Sequence, residues 1–171
     1  MAAWEFDGWL LPAAEIARCG YAPSGTLPDE AFETIDWWST AQPPADYARR
    51  FGEILPPAAS WSPNVERWGP EDGTRIDVVR ADGRVGEIYF RLDARAPDPD
   101  FVHGLTAFAA EAGTVVRTED GTLLEPDPEA LLAALARSPA AAFAADPRAF
   151  LARLERRMEE RGGEPRSPRD G

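Results

Sequence analysis

The sequence contains no lysine; all 18 of its basic residues are arginine. That absence excludes lysine Schiff-base chemistry, a phosphate-loop lysine and the Asp/Glu-x-Lys arrangement of many nucleases, all of which need a lysine amino group. Cysteine and histidine are almost as scarce, with Cys19 and His103 the only ones present. No disulfide can form within the chain, and no zinc cluster of Cys and His can be assembled. Any Ser-His-Asp or Cys-His mechanism would have to run through His103 alone. Long apolar runs are missing as well, since no stretch approaches the ~20 apolar residues of a membrane span. The opening "MAAWEFDGWLLP" carries acids where a secretion signal needs positive charge. These absences lead to the expectation of a soluble, cytoplasmic protein without a cofactor.

What is present is an acidic chain with ample material for a core. Of its 171 residues 44% are apolar, including six Trp and eight Phe, and 30 acids against 18 arginines leave a formal charge of -12. That field repels nucleic acid backbones and anionic membranes, because both are bound mainly by neutralising their own negative charge. It suits a protein partner with a basic surface.

Read along the chain, residues 1–70 are rich in Trp and Pro and poor in periodicity. "LPDEAFETIDWW" begins like a helix, with Phe32, Ile35 and Trp38 able to share a face. "PPADYARRFGEILPP" places Tyr47, Phe51, Ile54 and Leu55 at helical spacing between proline pairs. A short strand is expected at residues 65–68. "RIDVVRADGRVGEIYFRLD" then reads as a β-hairpin with a three-residue "ADG" turn. In that register Ile76 faces Ile88, Val78 faces Gly86, and Asp77 faces Glu87. One side of the hairpin carries Ile76, Val78, Ile88, Phe90 and Leu92. The other carries Arg75, Asp77, Val79, Val85, Glu87, Tyr89, Arg91 and Asp93.

Three Asp-Pro pairs follow, at 98–99, 127–128 and 146–147, each placing a helix cap before a proline suited to the first turn. The buried stripes are expected to be Phe101, Leu105, Phe108 and Ala112; Leu131, Leu132 and Leu135; and Phe150, Leu151 and Leu154. A second hairpin turns at Asp120-Gly121. The order hairpin, helix, hairpin, helix, helix predicts a single α+β domain over residues 1–160, an antiparallel sheet with helices packed on one face. Residues 161–171 have no apolar anchor and are expected to be disordered.

The candidate surface is the polar face of the first hairpin. Asp77, Glu87 and Asp93 supply negative charge, Arg91 accompanies them, and Tyr89 offers an aromatic anchor. Trp37, Trp38 and Trp68 are further candidates, because exposed tryptophan dominates binding hot spots. Trp37 and Trp38 are adjacent, so a helix or strand would bury one and leave the other near the surface. No metal site is expected. Asp77 opposite Glu87 nevertheless leaves a carboxylate-and-divalent-metal hydrolase as one alternative, and a structural subunit of a larger assembly is another. His103 falls on an exposed helical face, and Cys19 reads as a half-buried thiol. No family motif stands out. In general character (small, acidic, Trp-bearing, without a catalytic set) the chain resembles the immunity proteins of bacterial toxin systems, a likeness of type that implies a non-enzymatic module neutralising a cationic toxin domain.

Overall fold

The computed structural model describes residues 2–162. Its centre is a strand formed by the segment that opens the chain, β1 (Glu5–Pro12). After it come the short helices α1 (Ala13–Arg18) and α2 (Asp29–Thr34), then α3 (Tyr47–Ile54). Strands β2 (Pro57–Ala58), β3 (Val65–Trp68), β4 (Arg75–Ala81) and β5 (Arg84–Asp93) follow. Helix α4 (Pro99–Glu111) leads to β6 (Thr114–Thr118) and β7 (Leu123–Leu124). Helices α5 (Pro128–Arg137), α6 (Pro139–Ala145) and α7 (Pro147–Gly162) close the described chain. The fold is α+β, with an antiparallel sheet in the order β2-β3-β4-β5-β1-β6-β7. No helix among the described residues is long and apolar enough to cross a membrane.

Strand periodicity sorts the sheet into two unlike faces. Phe6, Leu10, Ile76, Val78, Ile88, Phe90, Leu92 and Val116 all point to one side and are buried, Phe6 with an edge left open at 4%. Helices α3 and α4 cover that side. The Phe51 ring lies 4.4 Å from Phe108 and 5.4 Å from Trp68, and Gly104 lets Ile54 approach the α4 backbone. Buried residues from Phe6 to Ala140 form one continuous apolar cluster. The three Asp-Pro pairs act as read from the sequence. Asp98 accepts from Asp100 and Phe101 N–H, Asp127 from Ala130 N–H, and Asp146 from Ala149 N–H.

Several expectations need correction. The first hairpin turns on two residues, Asp82 and Gly83, whose φ values of 51° and 77° are both left-handed; such turns match the twist of the paired strands. Its register is Ile76 to Phe90, Val78 to Ile88 and Asp77 to Tyr89, so Asp77 does not oppose Glu87. Between Val79 and Arg80 the pairing shifts, leaving Gly86 as an extra residue in β5. The bulge brings Val85 round into the core cluster and off the polar face. Strand β1 and helix α6 extend the pattern read from the sequence. In α7, Leu151 and Leu154 are 49% and 45% exposed rather than inward, and only Phe150 finds a partner, Phe143 of α6 at 5.6 Å. Helix α7 reaches residue 162; the remainder of the expected tail lies outside the described residues.

Candidate functional site

The second face of the sheet carries the charged residues singled out in the sequence. Strand pairing sets Arg67, Asp77, Tyr89, Trp9 and Arg117 side by side across β3, β4, β5, β1 and β6. The neighbouring row holds Arg75, Arg91 and Asp7. Asp77 is buried and accepts from Arg67 Nε and Nη2, at 2.6 and 3.0 Å, and from Arg75 Nε at 2.9 Å. Arg91 donates to Asp7 at 2.9 Å and to Glu5 at 2.5 Å. Tyr89 donates its hydroxyl to Asp7, and its ring lies 5.9 and 5.8 Å from the guanidinium carbons of Arg75 and Arg91. Burial, and then the Asp7 carboxylate, hold the Tyr89 hydroxyl well above the usual phenol range.

The ion-paired part of this ladder over β3, β4, β5 and β1 is neutral, and Arg117 of β6 finds its carboxylate in Asp29 outside the sheet. Arg67, Arg75 and Arg91 balance Asp77, Asp7 and Glu5, and every carboxylate among them accepts from a guanidinium. Arg75 and Arg91 are paired directly, like charge against like. The acids beside them and the Tyr89 ring between them offset the repulsion.

The other candidates are satisfied nearby. Glu87 accepts from the Trp9 indole N–H at 2.9 Å. Asp93 accepts from Arg95, whose hydrogen bond holds the Asp93 carboxyl below its usual range. Asp77, Glu87, Tyr89, Arg91 and Asp93 thus do share a face, but as an internally paired lattice rather than an acidic patch. The carboxylate pair required by the hydrolase alternative is not assembled, and the described residues hold no cluster of His, Cys, Asp and Glu suited to a metal.

Part of this face is covered. Residues 27–42 run across it from the β6–β7 turn to the tip of the β4–β5 hairpin. Leu27 N–H donates to Gly121 C=O, Phe32 packs at 5.1 Å on Trp9, and Gln42 exchanges hydrogen bonds with the Val85 backbone. Arg117 lies between the Phe32 and Trp9 rings, at 4.1 and 5.3 Å, and pairs with Asp29. Trp37 and Trp38 belong to this strap, where a turn directs both inward; they are 4% and 2% exposed. Trp68, at 5%, packs on Phe51 and Tyr47. The rings of all three are buried, with Trp68 at the base of a groove beside β3. His103 is exposed and bonds the Pro99 carbonyl oxygen, and Cys19 is half-buried.

The exposed tryptophan is Trp61, which is not among the candidates drawn from the sequence. It is 76% exposed, in the loop between β2 and β3. The groove beside that loop is lined by Pro57, Ala58, Pro63, Val65 and Glu66. Its sequence signal was the setting "SWSPN", where small and proline residues leave the indole no apolar neighbour in the chain. Glu66 at the groove accepts from Tyr47 and pairs with Arg80. Burial, and then Glu66, push the Tyr47 hydroxyl up to about 12. Compared with known proteins, the chain matches no family model, no curated protein and no solved structure.

Proposed function

We propose that this chain is a cytoplasmic, non-enzymatic protein-binding module of the immunity type, docking on a partner with a basic surface and neutralising it. The observation that carries the reading is Trp61. An indole 76% exposed in a loop whose Ser60, Ser62 and Pro63 line a groove is a poor use of the residue in a protein that otherwise shelters its tryptophans. It is the residue most enriched in binding hot spots. The net charge of -12 supplies the second half. Because Glu5, Asp7, Asp77 and Asp93 of the sheet face are each paired with an arginine, much of the excess lies elsewhere, on exposed residues such as Glu30, Glu33 and Asp36 of the strap. Such a field speeds encounter with a cationic partner and weakens with salt.

The immobilised chain and its Trp61→Ala variant are challenged with lysate of the source cells at about 50 and about 500 mM NaCl. The expected result is one basic protein retained stoichiometrically, less at high salt and not at all by the variant. That protein, once purified, loses its own activity on stoichiometric addition of the chain. Retention indifferent to salt and to Trp61, or no stoichiometric partner, overturns the reading.

A further inference from the structure

A cleft of about 450 Å³ opens at the end of the sheet remote from Trp61, between the β6–β7 turn and the junction of α5 with α6. Its volume lies in the range of roughly 300–1,000 Å³ typical of small-molecule sites. The apolar wall is Phe6, Leu124, Ala134 and Pro139, and the charged members are Glu119, Asp120 and Arg137.

These charges are in different situations. Asp120 is engaged, accepting from the Thr118 hydroxyl and the Thr122 N–H. Glu119 and Arg137 are not: among the described residues neither makes a side-chain hydrogen bond, and no ion pair joins them although both line the same cleft. Glu119 is also crowded by charge of its own sign. The side chain as a whole is exposed, yet its carboxyl is held above the usual range, first by desolvation and then by Asp7 and Asp120. Arg91 acts in the opposite direction. A cation placed beside Glu119 relieves that crowding. An anion placed beside Arg137 gains a charge-assisted hydrogen bond.

We infer that this cleft binds a small zwitterion with an apolar body, an α-amino acid or dipeptide bearing an aliphatic side chain. Its ammonium pairs with Glu119, its carboxylate pairs with Arg137, and its aliphatic side chain rests on Phe6, Leu124 and Pro139. Both charges and the apolar wall are used at once, which neither a simple amine nor a fatty acid achieves. The inference does not depend on the protein partner, because the cleft and Trp61 lie at different places on the fold.

The test titrates the intact chain with L-leucine and L-leucyl-L-leucine, read by calorimetry and by backbone amide shifts. Leucinamide, which lacks the carboxylate, and 4-methylpentanoate, which lacks the ammonium, serve as controls. The expected result is saturable binding of one zwitterion with shifts at Glu119, Asp120 and Ser138, and about tenfold weaker binding of both controls. Glu119→Gln and Arg137→Gln should each weaken the zwitterion by about tenfold, whereas Glu53→Gln, on the exposed side of α3, should leave it unchanged. The variants' circular dichroism is compared with the parent's to show that they fold. The inference is overturned if neither zwitterion saturates below about 10 mM. It is overturned equally if the controls bind as well as the zwitterions, or if folded Glu119→Gln and Arg137→Gln bind like the parent.

Discussion

Gly8 shows how one position ties sequence to fold. It sits opposite Phe90 across β1 and β5, and a Cβ added there would clash with the Cζ tip of the Phe90 ring. The glycine gives up its own packing so that a neighbouring aromatic can cover the strand. Gly8→Val must displace that ring within a filled core, and the expected loss is about 1–3 kcal/mol of unfolding free energy in urea titration. A variant as stable as the parent would show that the ring does not cover Gly8. Tyrosine ionisation tests the polar side of the same sheet. Tyr47 is pushed up to about 12 and Tyr89 is also raised, in both cases by burial and a carboxylate acceptor. A group whose native pKa is raised contributes stability that is complete below its unfolded value and lost as pH passes the native one. For Tyr47 the window runs from 10.0 to about 12. Ultraviolet titration should therefore find these two phenols still protonated at about pH 11, with stability declining across that window. Ionisation of both at the ordinary phenol pKa would mean that the Tyr47–Glu66 and Tyr89–Asp7 hydrogen bonds are not made.

Elements differ in how plainly the sequence declares them. The Asp-Pro caps were legible because cap chemistry is local: side chain and N–H lie within three residues. The parity of β4 and β5 was legible too, since alternation decides which side chains enter the core. Their register was not, because Gly86 takes up one residue in a bulge and the turn closes on two residues instead of three. Strand β1 escaped notice because it lies between two strands and is covered on both faces, while Gly8 interrupts its apolar alternation. Helix α7 has a clear apolar stripe, but the sheet is already covered by α3 and α4, so Leu151 and Leu154 stay outside. The two adjacent tryptophans were expected to split between core and surface. A helix or strand would separate them in that way, but they occupy a turn. The candidate sheet residues were correctly placed on one face, yet their pairing with Arg67, Glu5 and Asp7 comes from strands distant in sequence. The β3–β4 pair offers the sharpest test. Asp77→Asn weakens the hold on two buried guanidinium groups and should cost about 3 kcal/mol. Asp46→Asn, at an exposed pair with Arg49, should leave the unfolding curve unchanged. Equal effects would contradict the distinction between ladder and surface.

At the scale of the whole molecule, the distribution of charge matters more than its sum. Nine arginines engage carboxylates in the ion pairs of the described residues, among them the three of the neutral sheet ladder. The surplus acids are consequently left on exposed helix ends and turns, facing one another through water. Mutual repulsion of this kind works against compactness and is screened by salt, whereas the buried pairs of the ladder are screened much less. The two effects make opposite predictions for thermal unfolding. If the surplus dominates, raising NaCl from about 20 to about 500 mM should raise the unfolding midpoint steadily, with most of the rise complete once the Debye length falls below ~10 Å. If exposed pairs such as Arg49 with Asp46 and Glu53 carried the balance, the midpoint would fall instead. We expect the rise, because those pairs are exposed and each contributes little, while the net charge is -12. The same salt should slow association with a basic partner. An increase in stability together with a decrease in association rate over one titration would show a single field acting within the molecule and between molecules. A falling midpoint would place the stabilising electrostatics at the surface pairs and remove the excess charge as the reason for both.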